Sequence, residues 1–367
     1  MSAPTSNLFD PISVGPLHLQ HRVVLAPLTR FRANKKHVIG DLAPEYYSQR
    51  GSTPGTLLIS ESIIIAPEAA GFDHMPGIWS EEQVAAWKRV TKAVHAKGSY
   101  IVAQLMAAGR FAMPESLKND GFGATPVAPY AGPTDSHLRA LTKGEIAAYI
   151  ESYKKATRNA IAAGFDAVEL HVAHGDLVEQ FFHDTFNQRT DEYGGSIENR
   201  SRFALEILDA ITAIVGQERV GIRFTPWSNF QNMRMANPIP ALTYIISEIK
   251  TRFPTFMYLH MAEPRMSAAM DDPTAAPDDS NDFARKLWAP RPYLAAGGFS
   301  RDVAEAVKFA EKRGVLLVLG RAFIANPDLP VRIRKGIPLN PFNPATFAIP
   351  EAAEGYIDQP FAAENLN

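Results

Sequence analysis

Short runs of aliphatic and β-branched residues recur along the chain, separated by amphipathic or polar stretches. They fall at residues 22–26 (RVVLA), 56–60 (TLLIS), 100–105 (YIVAQL), 165–170 (FDAVEL), 219–224 (RVGIRF), 256–260 (FMYLH), 291–296 (RPYLAA) and 315–320 (VLLVLG). The runs are apolar throughout rather than alternating, which suits strands covered on both faces, as parallel sheets require. Between them, Ser80-Glu-Glu-Gln83 and Thr142-Lys-Gly-Glu145 each set a hydroxyl three residues before a Gln or Glu. Such capping boxes open helices, and these two end at Gly98 and Gly164. Further helices are predicted from about Ser196 to Val215 and over 301–312, the second closing at Arg313-Gly314. Residues 8–21 predict a short hairpin ahead of the first strand. Strands alternating with helices in this number predict a single-domain (β/α)8 TIM barrel over residues 1–367, because a doubly wound sheet rarely needs so many.

Two segments, 107–138 and 261–282, show no clear period. Both follow strands, on the side where barrels keep their long active-site loops. The second contains MDDPTAAPDDSND and is expected to be mobile.

Composition narrows the function. A formal charge of -2 gives no reason to expect nucleic acid or a membrane surface as partner. The absence of cysteine excludes disulfides, thiolate catalysis and Cys-ligated metal sites. No secretory signal is visible at the start, and no stretch approaches the roughly 18 apolar residues of a membrane helix. The expectation is a cytoplasmic enzyme, monomeric or homodimeric, that acts on a small molecule.

The candidate chemistry clusters where the strands end. Residues 164–208 run from the fourth strand past its end into His171, His174 and Asp176. His171-x-x-His174 lacks a third zinc ligand at recognisable spacing, so no metal is expected, and two imidazole donors converging on one substrate oxygen is the better reading. Gly297-Gly298 and Gly320-Arg321 follow strands seven and eight, where barrels commonly bind phosphate. Arg223 and Gln104 occupy interior positions near strand ends. A buried Arg needs an anionic partner, either Glu61 or Glu169 or a negatively charged ligand. There is no G-x-G-x-x-G after the first strand, no P-loop and no G-x-S-x-G, which disfavours a Rossmann dinucleotide site, a P-loop nucleotide and serine-hydrolase chemistry.

These residues bring a family into view. NQRTDEYGGSIENRSRF, with LAPLTRFRA, EYYSQR, GTLLISES, HMPGIWS, AQLMAAGR, LAAGGFS and GRAFIANPDLP in matching order, resembles the Old Yellow Enzyme flavoproteins. The likeness is strongest to fungal alkaloid-pathway members and plant 12-oxophytodienoate reductases. It implies a barrel that holds FMN non-covalently, takes electrons from NADPH or NADH and reduces an α,β-unsaturated carbonyl of secondary metabolism. By position, it implies that Ala26, Pro27, Leu28, Thr29 and Ser62 lie against the flavin, that Gln104 and Arg223 bind its pyrimidine side, and that Gly297, Gly298, Gly320 and Arg321 bind its phosphate. His171 and His174 would grip the substrate carbonyl.

The substrate side departs from the family pattern. Where the proton-donating Tyr is usual, the chain has Asp176, the aromatic pair near the C-terminus is Phe347-Ala348, and Met106 replaces a common Trp or His. A phenol with a pKa of about 10 keeps its proton at neutral pH, whereas a carboxyl of about 3.9 does not. Asp176 therefore acts as an acid only if burial or a nearby negative charge lifts its pKa. Ionised, it is a base suited to isomerisation, cyclisation or desaturation; alternatively it merely caps the helix LVEQFF, and a flavin-binding relic is a third reading. The smaller residues at 176 and 348 predict a bulky substrate, with Met106 and Phe347 as apolar contacts.

Overall fold

Eight parallel strands close into a barrel in the computed structural model, which describes residues 7–132, 135–267, 270–271, 276 and 278–363. They are β1 (Val23–Leu25), β2 (Leu57–Ile59), β3 (Tyr100–Met106), β4 (Ala167–Val172), β5 (Val220–Phe224), β6 (Tyr258–Ala262), β7 (Tyr293–Ala296) and β8 (Leu316–Leu319). Each pairs with its neighbours in sequence, and β8 returns to β1. Outside them run α1 (Ala43–Arg50), α2 (Glu81–His95), α3 (Lys143–Ala162), α4 (Ile197–Val215), α5 (Ile239–Arg252), α6 (Asp282–Trp288), α7 (Val303–Arg313) and α8 (Leu329–Lys335). Both expected capping boxes form, at Ser80 with Gln83 and at Thr142 with Glu145.

The strands are buried along their whole length because side chains meet the barrel interior on one face and the helices on the other. The predicted hairpin, Ile12–Val14 with Leu17–Leu19, plugs the bottom of the barrel. Its Val14, Leu17 and Leu19 join Val24, Leu57, Met257 and Leu316 in one apolar cluster. With the N-terminal end sealed, the open mouth lies at the C-terminal ends of the strands.

Two strand assignments shift, with consequences for the site. The run 256–260 reads as a strand, yet β6 begins at Tyr258, because the Phe256 N–H closes a turn onto the Phe253 carbonyl at 3.1 Å while its ring packs edge-on against Trp288 of α6. Apolarity alone does not separate a strand residue from one packed beneath a helix. β6 also extends to Ala262, which sets His260 beside Arg223 in the barrel interior. β4 runs to Val172, so His171 is a strand residue in register with Arg223 rather than part of the following loop.

The aperiodic segments contain local order. Residues 107–138 include a helix at Pro114–Asn119 and a short strand, Val127–Ala128, paired with Arg139–Ala140. Buried His37 fastens this excursion, its Nε2 lying 2.9 Å from Asp120 Oδ1. In the other segment Met266–Ser267 pairs with Met270–Asp271. The mobility expected there falls on residues 268–269, 272–275 and 277, which lie outside the described residues, while Asp279 pairs with Arg234 at 2.9 Å. Among the described residues no helix is long and apolar enough to cross a membrane.

Candidate active site

A cavity of about 460 Å³ opens at the mouth of the barrel. Ala26, Pro27, Leu28 and Thr29 reach it from the end of β1, Ser62 from beyond β2, and Met106 from the last position of β3. His171, His174 and Asp176 enter from β4, and Arg223 from β5. Gly297 and Gly298 follow β7, Gly320 and Arg321 follow β8, and Phe347 comes from the C-terminal segment. Residues spread over most of the chain meet here because every strand of a parallel barrel delivers its C-terminal end to the same rim.

Gln104 is the exception. It does not line the cavity, and its amide is engaged inside the barrel, donating to Glu169 Oε1 and accepting from Ser62 Oγ, both at 2.6 Å. Its route to a ligand runs through Ser62. Sequence reading missed the aromatic and thioether walls formed by Phe72, Met75, Phe111 and Phe230. These residues come from loops without periodicity; their only signal was large apolar side chains in segments that follow strands.

The polar groups of the cavity are short of partners. The Arg223 Nη2 lies 3.2 Å from His174 Nε2. A guanidinium can only donate, so His174 Nε2 accepts and its proton resides on Nδ1. Burial, reinforced by the Arg223 charge, presses the pKa of His171 and of His174 well below the usual range, so both imidazoles are neutral. Among the described residues, the Nδ1 atoms of both rings, Nε of Arg223 and Oδ2 of Asp176 are buried without a hydrogen-bond partner. Each such atom costs roughly 1–3 kcal/mol unless something binds it, which marks a ligand site.

Two of the alternatives left open by the sequence are not realised. Arg223 forms no ion pair with Glu61 or Glu169 among the described residues. Glu169 is taken by Gln104 and by His260 Nδ1 at 2.9 Å, and Glu61 by the Arg30 N–H and the Tyr47 hydroxyl. Nor does Asp176 cap the helix Leu177–Phe182. It stands at the N-cap position, but its side chain accepts no helix N–H. Instead Oδ2 lies 3.4 Å from His171 Nε2. Burial, and then the neighbouring Glu179, push the Asp176 carboxyl well above its ordinary pKa. The surroundings of Asp176 thus favour its protonated form over the carboxylate that its unperturbed pKa suggests.

Opposite these groups lies a backbone cradle. Gly297 and Gly298 have φ of +98° and +70°, a region costly for other residues. A Cβ on Gly298 would stand 2.7 Å from Arg265 Cβ, and one on Gly297 2.9 Å from the Glu263 nitrogen.

The sequence profile of the NADH:flavin oxidoreductase / NADH oxidase family matches residues 7–340. The chain belongs to this family. It is 44% identical over 368 residues to a chanoclavine-I aldehyde reductase of Penicillium roqueforti, covering 98% of this chain and 97% of that protein. It is 45% identical to a protein of Epichloe festucae var. lolii named "probable inactive reductase easA", covering 99% and 97%. Among solved structures, morphinone reductase superposes with a TM-score of 0.88 at 37% identity, covering 100% of this chain and 99% of that one. An Old Yellow Enzyme from a Pichia species gives 0.88 at 35%, covering 98% and 94%.

As a member of this flavin oxidoreductase family, the chain uses FMN, with a reduced nicotinamide nucleotide as electron source. The residues present suit that cofactor. Arg223 offers a buried cation with an unpartnered Nε, and the positive-φ glycines let an anion approach backbone without a Cβ in the way. Gly298→Val is expected to weaken FMN binding at least about tenfold, since every 1.4 kcal/mol of added strain is a factor of ten. Fluorescence titration of the apoprotein with FMN, alongside circular dichroism to confirm folding, measures this.

Proposed function

We propose that this protein is an ene-reductase for a bulky α,β-unsaturated aldehyde or ketone of a fungal secondary-metabolite pathway. Ala26, Pro27, Leu28, Thr29 and Ser62 hold the flavin ring, Arg223 balances its negative charge, and Gly297, Gly298, Gly320 and Arg321 bind its phosphate. Bound there, and reduced by NADPH or NADH, FMN supplies hydride to an electron-poor carbon. The neutral imidazoles of His171 and His174 donate hydrogen bonds to the substrate carbonyl oxygen and draw electron density from the double bond. Asp176, held protonated, provides the acid from which the carbon next to the carbonyl takes its proton. Met106, Phe111, Phe230 and Phe347 give the substrate an apolar wall, and the short side chains of Asp176 and Ala348 leave it room.

One observation carries this reading: two imidazoles, a carboxyl whose burial favours its protonated form, and the Arg223 guanidinium share a single cavity. Relatives named for aldehyde reduction support the substrate class. A redox-neutral isomerase or a desaturase with Asp176 as base would need that carboxyl ionised, against its burial beside Glu179. A flavin-binding relic finds its support in the relatives named as inactive.

The test is anaerobic. NADPH should bleach the bound flavin, and a suitable enal or enone should restore its colour with release of the saturated carbonyl compound. Isomerised product without NADPH consumption would favour the base reading, and a flavin that neither bleaches nor recovers would favour the relic.

A further inference from the structure

His174 and Asp176 flank a turn that the backbone does not favour. His174 has φ of +56° and Gly175 of +88°, two left-handed residues in succession. A residue with a Cβ is disfavoured there, so the conformation persists only where its surroundings impose it. Three side chains impose it. The Thr225 hydroxyl, just past β5, accepts the His174 N–H at 3.0 Å. Glu179 Oε2 accepts the Gly175 N–H at 2.6 Å. Gln180 Nε2 donates to the Gly175 carbonyl, also at 2.6 Å. Glu179 Oε1 lies 3.3 Å from the Thr225 hydroxyl, so one buried carboxyl joins two of the three anchors. The turn is thereby pinned between the short helix Leu177–Phe182 and the end of β5.

The sequence Asp176-Leu-Val-Glu179 has the spacing of a capping box, but its two members have separate tasks. Glu179 reaches back one residue beyond the cap, to Gly175. Asp176 makes no side-chain cap and faces the cavity instead. Glu179 itself does not line the cavity.

We infer that Glu179 is the positioning residue of this site: through Gly175 and Thr225 it fixes where His174 and Asp176 meet the substrate, without touching the substrate itself. This rests on the proposed roles of His174 and Asp176. The groups around the Glu179 carboxyl are Gly175, Thr225, Asp176, Arg223 and, at 3.9 Å, His183 Nε2. Burial raises its pKa to about 8, opposed by the Gly175 and Thr225 hydrogen bonds and the Arg223 charge. Its Oε2 accepts the Gly175 N–H and its Oε1 accepts the Thr225 hydroxyl. A glutamine amide keeps the Gly175 bond on its oxygen and meets the Thr225 oxygen with its own N–H, whereas an alanine keeps neither contact.

The experiment compares FMN-loaded wild type with Glu179→Gln, Glu179→Ala, Thr225→Ser and Thr225→Val. The probe is para-hydroxybenzaldehyde, a carbonyl ligand that need not turn over, titrated against the flavin absorbance. Glu179→Gln and Thr225→Ser are expected to bind it within about threefold of wild type, and Glu179→Ala and Thr225→Val at least about tenfold more weakly, with FMN affinity unchanged in all four. The imidazole nitrogen NMR signals of His174 should move in the Ala and Val variants and stay in place in the other two. That readout is independent of whether any enone is reduced, so a failure of the ene-reductase reading stays distinguishable from a failure of this one. Wild-type probe affinity and unmoved His174 signals in Glu179→Ala would overturn the inference, as would Glu179→Gln being impaired as deeply as Glu179→Ala. Should Glu179→Ala not fold, the contrast between Thr225→Ser and Thr225→Val decides by the same two measurements.

Discussion

Replacing His171 and His174 together by alanine is expected to lower kcat/KM for enone reduction at least about a hundredfold, since loss of a single donor to a developing oxyanion typically costs 10²–10³. The reason is their protonation state. Both rings are neutral, so each presents an N–H, and the His174 proton is placed on Nδ1 by the Arg223 contact at Nε2. Among the described residues the Nδ1 atoms of both rings have no hydrogen-bond partner, which leaves the His174 N–H for a ligand acceptor. Exchange of either ring for Asn should retain part of the activity, because an amide also donates. Steady-state kinetics with a fixed enone, at matched flavin content, measures the effect. A double alanine variant with wild-type kcat/KM would remove the imidazoles from the mechanism.

Asp176→Asn is expected to slow the proton-dependent step about 10²–10⁴-fold while leaving FMN and ligand binding in place, because the amide matches the carboxyl in shape but lacks its acidic proton. The pH dependence has a defined sign. The folded-state pKa of Asp176 lies above its ordinary value, through burial and the adjacent Glu179. Turnover that needs the protonated form is therefore full at low pH and falls as pH rises through that elevated pKa, and Asp176→Asn should lack this descent. Were water the donor, wild type and Asp176→Asn would share one rate and one profile. Asp176→Tyr tests the shape of the pocket, since a phenol keeps its proton to about pH 10 and extends further into the cavity. It should raise the reduction of small enones and lower that of bulky ones.

Much of this protein is legible in its sequence, for identifiable reasons. Strands covered on both faces must be apolar along their whole length, so the eight runs announced the barrel before any contact was known. The boxes at Ser80 and Thr142 are local, closing within one turn, and local chemistry survives into the fold. The glycines at 297 and 298 were legible because only glycine occupies their backbone region without strain. Sequence reading erred where apolarity served two purposes: Phe256 looked like strand and is helix packing.

The site divides in the same way. The sequence determined most of the side chains that reach the barrel mouth, because strand ends fix their positions and the resemblance supplied others, but it placed Gln104 there and missed Phe72, Met75, Phe111 and Phe230. The ionisation of the site was decided only by the tertiary structure. Asp176 is an ordinary carboxylate in any unfolded or solvated chain, and folding raises its pKa by burying it next to Glu179. The sequence left Arg223 open to a carboxylate or a negatively charged ligand, and Gln104 and His260 take Glu169, through contacts that join residues 65 and 91 positions apart. Spacing along a chain does not encode which of several buried partners wins, because that depends on distances and on water excluded once the strands have closed.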